Sequence, residues 1–473
     1  MLSHMDWRSF GAWQKRNYDF GLSRTRERLI KRPGKPAFRT NQGRNNPMKR
    51  LATATVAAVM AAAPVMADLV FPSLSYRTGA FAAGGIPFAD GYADYMTLLN
   101  ERDGGIGGVM TRILECETGY NTEKGVECYE ATKGEGALVY QPLSTGITYQ
   151  LIPKATADGI AIHSMGYGRT SAANGKVFSN VFNYPANYWN GASAVVQHIL
   201  DVNGGDIKGK KIALVYHNSA YGKEPIRTLE ELSKKHGFEL SLLAVDHPGQ
   251  EQKSQWLQIR RERPDYVTMW GWGVMNQVAI QEAANIRFPM ENFIGVWWSG
   301  SENDVLPSGD DANGYKAVTF HNVGNYFPVF EDVKKHVVDT GKAAGAGDQI
   351  GTAVYNRGFY AAMLAAEAVR NAQAIHGVAD ITPAMMLDGM ESLEITEARM
   401  AELGMPNFGP SFKVSCENHG GPGTVGVAQW DASSKTWSLI SDFKETDMSV
   451  IQPLIEADSA AFAAENNIAE RCN

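Results

Sequence analysis

The sequence lacks the short motifs that mark common enzyme chemistries. It contains no Gly-x-Ser-x-Gly nucleophile elbow, no His-Glu-x-x-His zinc pair and no phosphate-binding P-loop. His217 and His419 are isolated, so each suits a structural hydrogen bond better than the role of a catalytic base. Residues 421–426 have the spacing of a dinucleotide loop, but strand-like residues follow them instead of a helix. We therefore expect no enzyme activity, no catalytic residues, no bound metal and no cofactor.

Long apolar runs are also scarce, and only one is conspicuous. Met48, Lys49 and Arg50 precede an uncharged, Ala-rich run over residues 51–67. A basic start, a short apolar segment and small residues at the end are typical of a secretory signal. The alternative is a membrane anchor, but the run is short and Pro64 interrupts it. The pattern predicts a signal peptide at residues 48–67 and export to the periplasm.

Acidic residues are rare before the apolar run. Residues 1–47 contain eleven Lys or Arg against Asp6, Asp19 and Glu27. Such a basic extension is compatible with a nucleic-acid arm, an organellar targeting sequence or a misassigned translation start. We favour the last interpretation because Met48 opens a complete signal by itself. Residues 1–50 hold 13 of the 44 basic and 3 of the 51 acidic residues, so the remainder has a net charge of −17 and should not bind nucleic acid.

Cysteine is sparse, with only four residues in the chain: Cys116, Cys128, Cys416 and Cys472. An even number in an exported chain predicts disulfides. Four cysteines allow three pairings, and nearness in sequence favours Cys116 with Cys128 and Cys416 with Cys472. A zinc site is the competing interpretation, but no pair has the short ligand spacing such a site needs.

From Asp68 onward, short β-rich runs alternate with longer stretches of helical periodicity. This alternation predicts an α/β fold with parallel sheets and crossover helices, in two lobes because about four hundred residues exceed one ordinary core. The predicted strands include residues 69–75, 110–116, 137–140, 160–164, 211–216, 266–270, 293–296 and 318–320. The predicted helices include residues 88–100, 123–133, 147–157, 189–203, 224–236, 254–263 and 356–374. Residues 424–430 and 436–443 are predicted to pair around a turn at 431–434.

Two polar turns follow neighbouring predicted strands. Ser144 and Thr145 open a helix, where hydroxyls and free backbone N–H groups can hold an anion. An ordinary helix cap is the plainer explanation. A second turn of small residues, which contains Met165 and Gly166, follows the next strand. Because ligands of doubly wound sheets bind at the carboxyl ends of the strands, the two turns together predict a carboxylate contact.

Tryptophans are concentrated at two further strand ends. Trp270 and Trp272 follow one strand, and Trp297 and Trp298 follow the next. Buried tryptophan is usually core, but two pairs at successive strand ends favour ligand contact by at least one member of each pair. Tyr221 follows another strand and is placed to contact the same ligand.

With these features in order, the sequence resembles the leucine/isoleucine/valine-binding protein family, the type I substrate-binding components of ABC transporters. The resemblance rests on the first strand with Gly79 and Ala80, the glycine loop at 104–108, the two polar turns, Tyr221 and the strand at 293–296. It implies two doubly wound lobes joined by three crossing segments, near residues 183–187, 321–325 and 406–412. The expected first lobe is 68–185 with 322–408, and the second is 186–321 with 409–473.

The same resemblance suggests roles for the candidate residues. It implies that Ser144 and Thr145, with backbone N–H groups near Met165 and Gly166, hold a ligand carboxylate and that Tyr221 contacts the ligand. The chain departs from the amino-acid binders where Trp297 and Trp298 occupy the stretch that carries a glutamate for the ligand ammonium. An unpaired buried ammonium is costly, so an ordinary α-amino acid is disfavoured.

We therefore expect a monomeric solute-binding protein that delivers a small carboxylate with an aromatic or apolar part to an inner-membrane permease. Binding of a branched-chain amino acid or an amide by the same fold is an alternative. A periplasmic sensor or hydrolase is an alternative from another class. The sequence leaves the sensor open and offers no recognisable nucleophile and base for a hydrolase.

Overall fold

The computed structural model describes residues 67–472, which lie within one compact unit. The predicted basic extension and all but the last residue of the predicted signal peptide lie outside the described residues. Within residues 67–472, no helix is both long and apolar enough to cross a membrane.

Strands and helices alternate along most of the described chain, as predicted. The strands are β1 Leu69–Ser75, β2 Thr111–Glu117, β3 Val139–Tyr140, β4 Ala161–His163, β5 Val181–Phe182, β6 Lys211–His217, β7 Glu239–Val245, β8 Tyr266–Trp270, β9 Phe293–Gly295, β10 Lys316–Thr319, β11 Glu394–Ile395, β12 Phe412–Lys413, β13 Thr424–Asp431, β14 Thr436–Leu439 and β15 Lys444–Glu445. The helices are α1 Ala82–Leu98, α2 Thr122–Thr132, α3 Thr145–Asp158, α4 Tyr188–Val202, α5 Ala220–Lys223, α6 Ile226–His236, α7 Lys253–Glu262, α8 Val274–Asn285, α9 Glu302–Val305, α10 Pro328–Val333, α11 Ala353–His376, α12 Pro383–Glu391, α13 Glu397–Glu402 and α14 Met448–Asn466.

The first lobe is built on a parallel arrangement of strands in the order β2-β1-β3-β4-β5. Strands β1 and β2 pair over seven residues, and backbone bridges Val70–Ala137 and Ser73–Gln141 connect β1 to the β3 segment. Every residue of β1 is buried, which explains its nearly continuous apolar sequence. Helices α1 and α11 pack closely in this lobe: a Cβ at Gly358 would lie 2.0 Å from the Phe88 carbonyl oxygen.

The second lobe repeats this order. Its sheet runs β7-β6-β8-β9-β10 with parallel pairing, and β13 and β14 extend it with antiparallel pairing. The predicted hairpin around residues 431–434 is confirmed by the β13–β14 pairing. Two doubly wound lobes of the same strand order confirm the predicted fold class, and this order places a ligand site at the carboxyl ends of the strands.

Three stretches carry the chain between the lobes. The first follows β5, and Asn187 then caps α4 by accepting hydrogen bonds from the backbone of Trp189 and Asn190, both at 3.1 Å. The second lies between β10 and α10. The third follows β12, which pairs with β11.

The C-terminal helix α14 packs against both lobes, although residues 409–473 are expected in the second. Phe462 stacks on Phe178 of the first lobe with 4.7 Å between ring centroids. On the other side, Ile451 and Leu454 pack in a cluster with Trp189 of the second lobe. Residues 448–466 therefore brace the two lobes at the side of the molecule where the chain crosses.

Two disulfides tie separate segments together. Cys116 at the end of β2 is bonded to Cys128 in α2, and Cys416 in the third crossing is bonded to Cys472. This is the pairing favoured by sequence proximity. The second bond fastens the chain after α14 to the crossing segment.

Candidate ligand-binding site

A small cavity lies between the two lobes. Its lining residues share one position in the fold, because nearly all follow the carboxyl end of a strand or begin a helix. They are Tyr76, Tyr120, Leu143, Ser144, Thr145 and Tyr167 from the first lobe and Tyr188, Tyr221, Trp272 and Trp298 from the second. The cavity therefore occupies the place where a doubly wound fold presents its ligand site.

The first-lobe floor of the cavity is the start of helix α3. Ser144 is its N-cap, and the Ser144 Oγ accepts a hydrogen bond from the Ile147 N–H at 3.4 Å. The Thr145 Oγ1 accepts one from the Gly168 N–H at 3.2 Å. Because the first-turn N–H groups of a helix lack partners within the helix and lie at its positive end, this floor favours a negatively charged ligand group.

Leu143 directs the chain into that floor through an uncommon backbone conformation. Its φ of 46° lies in the left-handed region, which costs free energy for a branched side chain. The Leu143 N–H donates to the Tyr167 hydroxyl at 2.9 Å, and that hydroxyl donates to Gln141 Oε1 at 2.9 Å. This buried network offsets the strain and fixes the position of Ser144.

Two tryptophans of the second lobe close the cavity by reaching across to the first. The Trp272 Nε1 donates to the Tyr76 hydroxyl at 2.8 Å, and the Trp298 Nε1 donates to the Gly166 carbonyl oxygen at 3.0 Å. The two indole rings meet edge to face, with 5.2 Å between centroids. A side chain at Gly84 of α1 would collide with Trp272, with its Cβ only 2.2 Å from the ring. The Trp272 ring thus packs directly against the backbone of the opposite lobe.

The lobes are closed around the cavity. Besides the two indole hydrogen bonds, the Asn303 Nδ2 of the second lobe donates to the Ala83 carbonyl oxygen of the first at 2.7 Å. The Val274 N–H donates to the Ala80 carbonyl oxygen at 3.2 Å. All ten lining residues except Tyr120 are buried or nearly so. A ligand enters this cavity only if the lobes separate.

The structure brings five of the nine candidate ligand residues to the cavity wall: Ser144, Thr145, Tyr221, Trp272 and Trp298. Of these, Tyr221 donates its hydroxyl to the Gly271 carbonyl oxygen at 2.9 Å, so its ring faces the cavity while its oxygen is bonded within the second lobe. Both predicted tryptophan pairs contribute one member each.

The other four candidates lie behind the wall. Gly166 donates its N–H to the Asn183 carbonyl oxygen at 3.4 Å, and Met165 is fully buried, so neither lines the cavity. The Trp297 ring is stacked on Tyr188 at 6.0 Å, and its Nε1 donates to the Gly166 carbonyl oxygen at 2.7 Å. Trp270 is fully buried in the core. Of these four, Trp297 and Gly166 join the two lobes through that hydrogen bond.

Five lining residues were absent from the sequence-based set: Tyr76, Tyr120, Leu143, Tyr167 and Tyr188. Tyr76 directly follows β1, and Tyr167 lies in the turn after β4, so the strand-end rule that selected the tryptophans would also have selected them. Tyr120 likewise lies shortly after β2, and Leu143 directly precedes Ser144 in the turn after β3. Tyr188 follows a lobe crossing, and no local sequence signal separates it from an ordinary core tyrosine.

Within residues 67–472, none of the side chains that line the cavity is charged at neutral pH. Burial raises the pKa of Tyr76, Tyr167, Tyr188 and Tyr221 well above the usual value, so these phenols stay protonated. Glu302, the first acid after Trp298, accepts a hydrogen bond from the Ala353 N–H at the start of α11 at 3.0 Å. It is therefore engaged at a helix N-terminus and not at the cavity.

A buried arginine stands behind Trp298. The Arg357 guanidinium lies 4.9 Å from the Trp298 ring centroid and donates to the Trp297 carbonyl oxygen at 2.7 Å and to His321 Nε2 at 3.2 Å. Burial lowers the pKa of Arg357 to about 9, so the group remains cationic at neutral pH. Its charge adds to the positive end of α3 and favours an anionic occupant of the cavity.

This architecture, with two lobes closed over a small cavity at the strand ends, defines a solute-binding protein of the hinge-closing class. A family model described as periplasmic binding protein matches residues 70–435. The chain belongs to the periplasmic binding protein family, which confirms the resemblance noted in the sequence.

Solved structures agree with this assignment. One described as an ABC transporter permease from the Pseudomonas fluorescens group is 39% identical, with a TM-score of 0.79 over 86% of this chain and 100% of that one. A branched-chain amino acid ABC transporter protein from Thermus thermophilus with bound valine is 18% identical, with a TM-score of 0.69 over 82% and 98%. A solute-binding protein from R. palustris in complex with benzoate is 16% identical, with a TM-score of 0.62 over 80% and 97%. No functionally curated protein matches the chain.

Proposed function

We propose that this protein is the exported binding component of an ABC importer and that its cargo is a small carboxylate with an aromatic or apolar part. The observation that carries the proposal is the cavity itself, which has Tyr and Trp walls, no charged lining side chain and the N-terminus of α3 as its floor. A carboxylate on Ser144 and Thr145 would meet hydroxyl and backbone donors. The remainder of the ligand would contact aromatic rings.

The same cavity disfavours an α-amino acid. An ammonium group would be desolvated on closure with no carboxylate beside it, because Glu302 is held at α11. Burying an unpaired charge costs several kcal/mol.

The ligands named for structural relatives include both carboxylates with an apolar part and a branched-chain amino acid. One is described with bound benzoate, another with bound valine and a third as a fatty acid transporter component from Thermomonospora curvata. All three are below 20% identical to this chain, so they support the fold only. The proposed cargo therefore rests on the chemistry of the cavity. Branched-chain amino acids are the second candidate because of the valine-bound relative.

Further expectations follow from the family. Export to the periplasm through residues 48–67, delivery to an inner-membrane permease, a monomeric state and the lack of catalysis all belong to the proposal. The cavity lining is compatible with the proposed lack of catalysis. Among the described residues that line it, neither a histidine nor a carboxylate accompanies the hydroxyl side chains Ser144 and Thr145. An activated nucleophile needs such a base.

Calorimetric titration of the processed protein tests the cargo. The panel consists of benzoate, phenylacetate, a short aliphatic acid, benzamide, leucine and valine. We expect benzoate or phenylacetate to bind more tightly than leucine and valine, and benzamide to bind more weakly than benzoate because it lacks the charge. Tighter binding of leucine or valine would reject the proposed cargo and keep the family. Turnover of any ligand would restore the hydrolase alternative.

A further inference from the structure

A buried carboxyl group joins the two lobes at the flank of the cleft. Glu224 lies three residues after Tyr221 in the second lobe. One of its oxygens accepts a hydrogen bond from the Tyr149 hydroxyl of α3, and the other accepts one from the Thr170 N–H at 3.4 Å. Both partners belong to the first lobe. These contacts exist only while the lobes are closed.

The surroundings of Glu224 offer it no cation of its own. Arg169 is the nearest positive group, but its Nη2 donates to Asp458 of α14 at 2.6 Å. Arg227 of α6 also lies near Asp458, at 3.9 Å, and is half exposed. The Trp189 Nε1 of α4 binds the backbone oxygen of Glu224 and leaves the carboxyl untouched. Tyr149 and Tyr188 add only neutral phenols.

The donors around Glu224 oppose the effect of its burial. The Tyr149 hydroxyl, the Thr170 N–H and the Thr170 hydroxyl each favour the ionised carboxylate and lower its pKa. Burial without a paired cation has the larger effect and favours the neutral carboxyl. A proton on Glu224 therefore removes a buried negative charge when the lobes close.

We propose that Glu224 is a proton-linked latch, a positioning residue that favours the closed state when protonated and so makes ligand affinity rise as the pH falls. The inference rests on the proposed function, because it requires closure over a ligand. Glu224 does not line the cavity and would act through closure alone.

The direction of the pH effect follows from linkage. Burial in the closed state raises the pKa of Glu224 from 4.5 to about 7. In the open state the carboxyl meets water, where it has an ordinary pKa. Closure therefore takes up a proton. The contribution of Glu224 to the stability of the closed state is complete below about pH 4.5 and is lost as the pH rises through about 7. Glu302 contributes in the same direction, because burial also raises its pKa and it too bonds across the lobes.

Benzoate serves as the probe, titrated by calorimetry at pH values from 5.5 to 8. A simple carboxylic acid of ordinary pKa stays ionised over this range. We expect the native protein to bind benzoate on the order of tenfold more tightly at pH 5.5 than at pH 8. Glu224→Gln should keep the tight binding and lose most of the pH dependence. Thr170→Val, which keeps the carboxyl and removes a hydroxyl that favours its ionised form, should move the loss of affinity to higher pH while leaving a folded protein.

Asp304→Asn is the matched control. Burial also raises the pKa of Asp304 to about 7, but its partners Asn276 and Ser301 belong to the same lobe. This variant should keep the native pH dependence. An equal pH dependence in native protein and Glu224→Gln, or none in the native protein, would overturn the latch.

A second measurement separates this inference from the proposed function. If benzoate does not bind at any pH, the proposed cargo fails, and the radius of gyration of the protein without added ligand then tests the latch. A smaller radius at pH 5.5 than at pH 8 in the native protein, and not in Glu224→Gln, supports it. An identical radius in both proteins at both pH values rejects it.

Discussion

At the scale of single residues, Thr145 provides the sharpest test of the carboxylate site. Thr145→Val keeps the shape of the side chain and removes the hydroxyl that lines the cavity and accepts the Gly168 N–H. A hydrogen bond to a charged group is worth about 1.5–3 kcal/mol, so benzoate affinity should fall by on the order of tenfold or more. Thr145→Ser should restore most of it. Calorimetry gives the affinities, and unchanged binding by Thr145→Val would contradict the assignment.

Arg357 tests whether charge behind the wall matters. Arg357→Met keeps the length and removes the cation that stands 4.9 Å from the Trp298 ring. If the charge favours an anion, the variant should lose more affinity for benzoate than for benzamide, because the amide carries no charge. Equal losses for both ligands would show that Arg357 acts only by supporting Trp297. Because removing this buried group also costs folding stability, circular dichroism must first confirm the native fold.

The residues of the site were only partly predictable, and the reason is geometric. The strand-end rule located Ser144, Thr145, Trp272 and Trp298, since it follows from sheet topology alone. It could not say which neighbour faces the ligand. Trp297 and Trp298 are adjacent, so their rings leave the backbone in different directions and only Trp298 reaches the cavity. Tyr188 enters the wall because a lobe crossing places α4 there, which is long-range information.

At the scale of elements, the contact between α1 and α11 depends on glycine. A Cβ at Gly91 would lie 2.2 Å from the Tyr355 carbonyl oxygen, which cannot move without shifting α11. Gly91→Ala should therefore lower the free energy of unfolding by about 1–3 kcal/mol. Gly134→Ala is the control, because nothing lies within 4 Å of its Cβ position. Urea unfolding measures both, and equal stability of the two variants would exclude close helix packing as the cause.

The two disulfides should differ in their contribution. Cys416 and Cys472 are 56 residues apart, and Cys116 and Cys128 are 12 apart. Loop-closure entropy assigns about 4 kcal/mol to the longer link and about 3 kcal/mol to the shorter. Replacing both cysteines of a pair by serine should thus destabilise more for the 416–472 pair. Urea unfolding of the two double variants gives the comparison, and a reversed order would show that strain or residual structure outweighs loop length.

Elements with a strong local pattern were predictable, and those specified by distant contacts were not. Strand Tyr266–Trp270 lies within one buried apolar run, and its bounds are those predicted from sequence. Strand Val181–Phe182 has two residues, too few for any periodicity. Helix α14 contains Pro453, which disfavours a helix interior by local rules, and its packing against Trp189 and Phe178 compensates.

At the scale of the whole molecule, the closed arrangement needs contacts that no sequence window contains. The number of lobe crossings was inferred from resemblance to a family. The hydrogen bond between Trp298 and Gly166 joins positions 132 residues apart. Local propensity cannot specify such a pair, although this hydrogen bond holds the two lobes in the closed arrangement.

Gly166 is where closure can be tested without touching the cavity. Its φ is 70°, and a Cβ there would lie 2.7 Å from Phe320 in the second crossing and 3.1 Å from the Trp297 Nε1. Gly166→Ala should therefore hold the lobes apart and weaken benzoate binding. Small-angle scattering should show compaction on benzoate addition for the native protein and a smaller change for the variant.

The Gly159→Ala variant separates the steric contact made by an added Cβ from the backbone strain of alanine at a positive φ. Gly159 has a similar φ of 67°, but nothing lies within 4 Å of its Cβ position. The two substitutions should cost similar backbone strain, since both place alanine in the left-handed region. Only Gly166→Ala adds an atom that contacts the other lobe. The Gly159→Ala protein should therefore compact on benzoate addition as the native protein does. If the two variants compact equally on benzoate addition, the Gly166 contact does not govern closure, and the indole hydrogen bonds at that site would be consequences of closing instead of its cause.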